Sequence, residues 1–239
     1  MAQNIYDSEN FFKNYIQLPR QVKGLAGTPE WSALKSLLPD PKGTQFLDLG
    51  CGFGWVCRWS RENGSVAAHG VDVSEKMLCK ARSFPTDSAI TYTRADLETF
   101  ELPPNTYDIA FSSLSFHYLK NLPSLIQQIY KTLTPGGALV FSVEHPVYTA
   151  PQDPKVVPGS EYQTIWSLAS YLDEGPRISN WLADGVVKQH RTISTYATIL
   201  LEAGFALAAL EEWGPTQEQI KASPHTAFSF LLLKAVKAK

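Results

Sequence analysis

Cysteine is scarce in this chain, and the little there is does not support a disulfide or zinc framework. Cys51, Cys57 and Cys79 are odd in number and lack paired C-x-x-C spacing, so they read as reduced thiols used as small apolar side chains. Long apolar runs are missing too. The stretch from Ala227 to Leu233 is interrupted by Ser229 and falls far short of the roughly 20 residues that span a bilayer. No basic patch followed by an apolar run opens the chain, since Met1 to Asn10 is polar and acidic, and neither a signal nor a transit peptide is expected. These absences lead to the expectation of a cytoplasmic protein with no membrane partner. A surplus of one charge is also lacking: 21 Lys and Arg against 23 Asp and Glu give a formal net charge of −2. The basic residues are scattered and form no stripe for a phosphate backbone, which argues against a nucleic acid partner.

What is present is ordinary globular composition, 44% apolar and 18% charged over 239 residues, enough for one large domain. From Gln45 to about Val143, short β-rich runs alternate with helical stretches, the pattern of βαβ units in an α/β fold with helices on both faces of a parallel sheet. Strands are expected at 45–49, 66–73, 90–93, 107–112 and 138–143. Ser74 is placed to cap the helix carrying Met77, Leu78 and Ala81. The helix over 122–133 is stopped by Pro135, Gly136 and Gly137. Further on, 192–203 reads as a helix ended by Gly204, with strands at 205–213 and 227–236. Two segments break the alternation. Residues 1–42 read as helix and loop, and residues 146–191 are long, weakly periodic and rich in Pro, Gly, Trp and Tyr, as befits a segment that covers a site or carries structure of its own. A single domain in four parts follows: a helical lid at 1–42, a cofactor-binding core at 43–145, a substrate cap at 146–191, and a C-terminal helix with strands at 192–239.

The strongest local signal is Phe46-Leu47-Asp48-Leu49-Gly50-Cys51-Gly52-Phe53-Gly54. Here a strand feeds a glycine turn and then a helix, so a ligand can come close to the backbone at the positive end of that helix. Asp72 ends the next strand, where a carboxylate can accept hydrogen bonds from two ribose hydroxyls. Together they indicate a nucleoside ligand. A dinucleotide oxidoreductase uses similar parts, but its fingerprint is G-x-G-x-x-G, whereas Gly50, Gly52 and Gly54 recur at every second position.

With these motifs the chain resembles the class I S-adenosylmethionine-dependent methyltransferases, particularly the group that includes the ubiquinone and menaquinone biosynthesis C-methyltransferases. The resemblance runs from about Gln45 onward. It rests on the glycine turn, on Gly70-Val71-Asp72-Val73-Ser74 with Met77-Leu78, on Arg94-Ala95-Asp96-Leu97, on Tyr107 to Ser113, and on Leu133 to Leu139. It implies a Rossmann-like sheet of seven mostly parallel strands, the last antiparallel, and S-adenosylmethionine as cofactor with S-adenosylhomocysteine as product. It also implies roles. Asp48 and the backbone of Gly50, Cys51 and Gly52 would hold the methionine part, Asp72 the ribose, Val73 and Met77 the adenine face, and Asp96 with the Leu97 amide the adenine edge. Ser113 would lie near the methionine ammonium. Tyr15, Pro19 and Arg20 resemble an entry segment that folds over the cofactor, Arg20 matching the methionine carboxylate.

Methyl transfer needs alignment, exclusion of water and, for some acceptors, loss of a proton. The candidates for proton removal are His145, after the fifth strand, and His117, after the fourth; His190 is a more remote one. Each also reads as a histidine that hydrogen-bonds a loop. Tyr148, Tyr162, Trp166, Tyr171 and Trp181 make the insert aromatic, suited to an organic acceptor. Ser112-Ser113-Leu114-Ser115 stands where nucleic-acid amino-methylating enzymes carry Asn-Pro-Pro-Tyr, and no carboxylate cluster for a metal is evident. The expectation is a small-molecule O-, N- or C-methyltransferase acting as a monomer or homodimer. Its rivals are a cofactor-binding protein without methyl transfer and a nucleotide-dependent oxidoreductase.

Overall fold

The computed structural model describes residues 3–85, 87–151, 157–158, 164–165, 168, 170–214, 216, 218 and 230–239. A 3-10 turn (Ile5–Asp7) and helices α1 (Glu9–Tyr15), α2 (Pro19–Val22) and α3 (Trp31–Leu37) precede the first strand. Then come β1 (Gln45–Leu49), α4 (Trp55–Glu62), β2 (Ala67–Asp72), α5 (Glu75–Arg82), β3 (Ile90–Arg94), β4 (Tyr107–Ser113), α6 (Leu122–Thr132) and β5 (Leu133–Glu144). The insert supplies α7 (Pro146–Thr149), β6 (Val157–Pro158), β7 (Thr164–Ile165), β8 (Gly175–Trp181) and β9 (Ala183–His190). The chain returns to the main sheet with α8 (Ile193–Glu202), β10 (Ala206–Trp213) and β11 (Phe230–Val236).

Seven strands form one sheet in the order β10-β11-β5-β4-β1-β2-β3. From β3 to β5 neighbours run parallel, whereas β11 lies antiparallel between β5 and β10. The expected architecture, with its antiparallel last strand, is therefore present. Both faces are covered: Leu47, Leu49, Val71, Leu139 and Leu200 pack on one side, and Leu34, Phe46, Val56, Phe111 and Val140 on the other. Burial on both faces is why these strands read as apolar runs without alternation. The sheet order reverses between β1 and β4, so the carboxyl ends of those strands flank the crevice where open α/β sheets bind ligands.

Local signals account for most boundaries. Ser74 caps α5 by accepting from the Met77 amide at 3.1 Å, and Thr192 caps α8 by accepting from Thr195 at 3.1 Å. Most expected bounds shift by a residue or so, and the largest difference is that β5 begins at Leu133, five residues before the expected 138. Tyr107 pairs with Leu133 and Ile109 with Ala138, so Pro135 and Gly136, the latter at φ +81°, form a bulge inside the strand rather than a turn before it. The insert carries structure of its own, a β8–β9 hairpin turning at Leu182, φ +60°. No helix among the described residues is long and apolar enough to cross a membrane.

Candidate functional site

The site starts from the turn after β1. Gly50 and Cys51 both donate their amides to the Val71 carbonyl, at 2.8 and 3.0 Å, which ties the turn to the end of β2. Gly50 and Gly52 have φ of +78° and +52°, a region that costs side chains bearing a Cβ. A Cβ on Gly50 would stand 2.5 Å from that of Ser115, whereas one on Gly52 would meet nothing within 4 Å. Gly50 thus serves packing, and Gly52 leaves bare backbone over open space. Asp72 closes the unit: its Oδ2 accepts from the Gly52 amide at 2.8 Å and its Oδ1 from the Ser74 amide at 2.9 Å. Burial pushes its pKa up to about 6, against the pull of those amide bonds.

A cavity of about 400 Å³ opens above this turn. Tyr15, Arg20, Gly50, Gly52, Asp72, Val73, Met77, Asp96, Leu97 and Ser113 all line it, so the structure gathers every expected cofactor residue except Asp48 and Cys51. Asp48 is buried in β1, accepts from the Cys57 thiol at 3.5 Å, and has its pKa pushed up to about 7 by burial. The Cys51 side chain belongs to the apolar core beside Phe46 and Val56. Asp96 is wall and also closes a turn, since its Oδ1 accepts from the Glu98 amide at 3.0 Å.

The N-terminal segment forms the opposite wall. Arg20 donates to Glu30 Oε1 at 2.7 Å, and Glu30 is wholly buried, so this guanidinium is held in place by a carboxylate that sequence reasoning did not find. Asp7 docks the segment onto the start of α5. It accepts from the Ser74 hydroxyl at 2.6 Å, the Lys76 amide at 3.1 Å and Asn4 at 2.7 Å. Those bonds hold its pKa below the ordinary value although burial opposes them. Gln3 reaches the hairpin, donating to the Gly185 carbonyl at 2.9 Å and accepting from the Val187 amide at 3.0 Å. Asn14 donates to the Leu182 carbonyl at 3.1 Å.

Beyond the turn, the same cavity is lined by His117, Tyr118, Glu144, Tyr148, Trp181 and Phe230. His117 is buried; its Nδ1 accepts from the Glu144 amide at 3.3 Å, which assigns the proton of the neutral ring to Nε2. Burial, with the charges of Lys188 and Arg191, holds its pKa well below the usual histidine value. Glu144 accepts from Lys188 Nζ at 2.6 Å through Oε1, and its Oε2 is buried with no hydrogen-bond partner.

Of the two candidate bases, His117 reaches the cavity and His145 does not. His145 is buried outside the lining, where its Nε2 meets Glu212 at 2.9 Å and its Nδ1 accepts from the Val147 amide at 3.2 Å, capping α7. His190 lies between Thr149 and the Tyr171 carbonyl, at 2.8 and 2.9 Å. Of the insert's aromatics, Tyr148 and Trp181 line the cavity and Tyr171 does not; Tyr162 and Trp166 lie outside the described residues. Sequence reasoning missed Tyr6, Tyr118, Glu144 and Phe230 as lining residues. For Glu144 a signal existed, its place at the carboxyl end of β5, next to His145.

Comparison with known proteins bears on the family and the fold. The "Methyltransferase domain" family matches residues 47–141. A solved S-adenosylmethionine-dependent methyltransferase from Mesorhizobium loti is 45% identical, with 90% of this chain and 100% of that one covered and a TM-score of 0.83. A putative S-adenosylmethionine-dependent methyltransferase from Listeria monocytogenes is 34% identical, with 88% and 98% covered and a TM-score of 0.80. Among curated sequences, the malonyl-[acyl-carrier protein] O-methyltransferase of Enterobacter lignolyticus is 34% identical over 110 residues, 46% of this chain and 43% of its own length.

Proposed function

We infer the roles at this site from one premise: the chain belongs to the S-adenosylmethionine-dependent methyltransferases, matching the Mesorhizobium loti protein over nearly its whole length. It uses S-adenosylmethionine and releases S-adenosylhomocysteine. When bound, the cofactor supplies a methyl group activated by a positively charged sulfur. The donor set fits it, with bare backbone at Gly52, a carboxylate at Asp72, and apolar Val73, Met77 and Leu97 in one wall.

In this reading Asp72 accepts from the ribose hydroxyls, and the backbone of Gly50 to Gly52 borders the methionine part. Val73, Met77 and Leu97 flank the adenine, and Asp96 takes its edge. Arg20, steadied by Glu30, meets the methionine carboxylate beside Tyr15, and Ser113 lies toward the ammonium. Asp48 and the Cys51 side chain, absent from the cavity wall, support the turn from behind.

The acceptor is a small molecule bound in the part of the cavity lined by His117, Glu144, Tyr148 and Trp181. The observation that carries this is that one cavity of about 400 Å³ holds both sets of groups, within the range for small-molecule sites. Calorimetric titration with S-adenosylhomocysteine, followed by its release from S-adenosylmethionine across a panel of small acceptors, tests it. Binding with turnover supports the reading, binding with no turnover on any acceptor favours a cofactor-binding protein, and no binding overturns the site.

A further inference from the structure

The acceptor end of the cavity combines flat apolar walls with two polar groups of opposite hydrogen-bonding sense. Tyr118, Tyr148, Trp181 and Phe230 line the cavity beside Glu144 and His117, and aromatic walls favour a planar ring by offset or edge-on packing. Glu144 Oε2 is buried without a partner, and a buried carboxylate oxygen left unpaired costs free energy that a ligand donor would recover. Its charge is already matched, because Lys188 holds Oε1 at 2.6 Å while standing 5.3 Å from the centre of the Trp181 ring. His117 has its Nδ1 occupied by the Glu144 amide, so this ring is a donor through Nε2 and not a base. Tyr118 and Tyr148 keep their protons, since burial and the charge of Glu144 both push their pKa values up.

Resting on the methyltransferase reading above, we propose that the acceptor is a neutral aromatic molecule bearing a hydroxyl. That hydroxyl donates to Glu144 Oε2, and His117 Nε2–H donates to a second oxygen of the same molecule. A carboxylate in that position would face the Glu144 carboxylate. An ammonium would compete with Lys188 for it. In the transfer, the hydroxyl oxygen gains the methyl carbon, the carbon–sulfur bond breaks with its electron pair left on sulfur, and the hydroxyl proton passes to Glu144 Oε2. The Lys188 ammonium then faces a neutral acid, which passes the proton to solvent water once the methyl ether has left.

The test is calorimetric titration of the protein saturated with S-adenosylhomocysteine, using 2-methoxyphenol, benzoate and benzylamine as probes. The expected ranking has 2-methoxyphenol binding more tightly than the other two. Glu144→Gln should weaken 2-methoxyphenol by about ten- to hundredfold, as expected for loss of a hydrogen bond to a charged group, with S-adenosylhomocysteine affinity kept within about twofold. His117→Asn should weaken the phenol less, because a neutral donor is replaced by a shorter one. Unchanged phenol affinity in folded Glu144→Gln, or tighter binding of benzoate or benzylamine to the wild type, overturns the proposal. Should Glu144→Gln fail to fold, the wild-type ranking alone decides. Failure of the wild type to bind S-adenosylhomocysteine would instead sink the cofactor reading, so the two failures are distinguishable.

Discussion

The two ends of the cavity are made of different material. At the end proposed for the cofactor, backbone sets the frame, the Gly52 and Ser74 amides meeting one carboxylate at Asp72, and its lining residues beyond the N-terminal segment fall between 50 and 113. The end proposed for the acceptor is mostly side chain: His117 after β4, Glu144 at the end of β5, Trp181 from the hairpin, Phe230 from β11. A backbone surface demands particular residues, because only glycine holds φ of +52° without strain and leaves no Cβ in the way. A side-chain surface demands only that something of the right chemistry arrive there. The first end therefore suits a constant ligand, and the second can change with the acceptor while the sheet stays the same.

Four measurements would break or sharpen that contrast. The largest effect concerns pH. Asp48 and Asp72, beneath and beside the glycine turn, have pKa values pushed up to about 7 and about 6, while an unfolded aspartate titrates near 4. Between those values the folded chain keeps protons that the unfolded chain has lost. Stability from these groups is thus greatest below about pH 4 and is lost as pH rises through 6 and 7. At about 1.4 kcal/mol per unit, Asp48 alone should cost on the order of 3 kcal/mol between pH 5 and 7. Melting temperatures across pH 5–8 should fall in the ligand-free wild type and flatten in Asp48→Asn. Parallel curves would mean that Asp48 is not buried as described.

Next in size, Asp72→Ala should lose about 1.5–3 kcal/mol of cofactor affinity, the worth of hydrogen bonds to a charged group. Affinity for acceptor-end probes should change little. Calorimetry on both ligands checks this, and equal losses at the two ends would erase the distinction. The glycines divide the cofactor end further. Gly50→Ala forces a contact with Ser115 and should cost roughly 1–3 kcal/mol of stability. Gly52→Ala costs about 1 kcal/mol for its backbone, with its main effect on cofactor affinity. A pair of thermal melts and titrations in which both variants behave alike would contradict the two roles. The smallest effect is expected at His145. Its replacement by alanine removes the α7 cap, worth about 1 kcal/mol, and should leave turnover within about twofold; a hundredfold fall would restore it as a base.

The same contrast explains what could be read in advance. Gly50, Gly52, Asp72, Met77 and Leu97 were legible as residues of the cavity wall because strand, turn and helix follow one another locally and the turn chemistry admits few residues. Ser74 and Thr192 were legible as caps for the same reason. The β8–β9 hairpin was not, although Asp184-Gly185 stands beside its turn, because the strands pair around Leu182 at positive φ and Asp-Gly falls two residues beyond it rather than between two alternating runs. Glu30 was hidden because its significance depends on Arg20, ten residues away across the turn from α2 to α3. His145 illustrates the opposite error. It follows β5 as a base might, yet Pro146 starts α7 there and the imidazole turns to cap it, while the residue one position earlier stays in the cavity wall. A one-residue step at a strand end moves a side chain to the other face, and neither composition nor motif spacing records which face is which.

The bonds from Gln3 to Gly185 and Val187, and from Asn14 to Leu182, fasten the first residues of the chain to a hairpin 168 to 184 positions later. Under the roles proposed above, the cofactor's cover and the acceptor's cover are one shutter rather than two. Opening it far enough for one ligand to leave loosens the enclosure of the other. The residence time of each ligand should then depend on whether the other is aboard, and a change confined to the tip of the hairpin should be felt in the dissociation rate of a nucleoside it never touches.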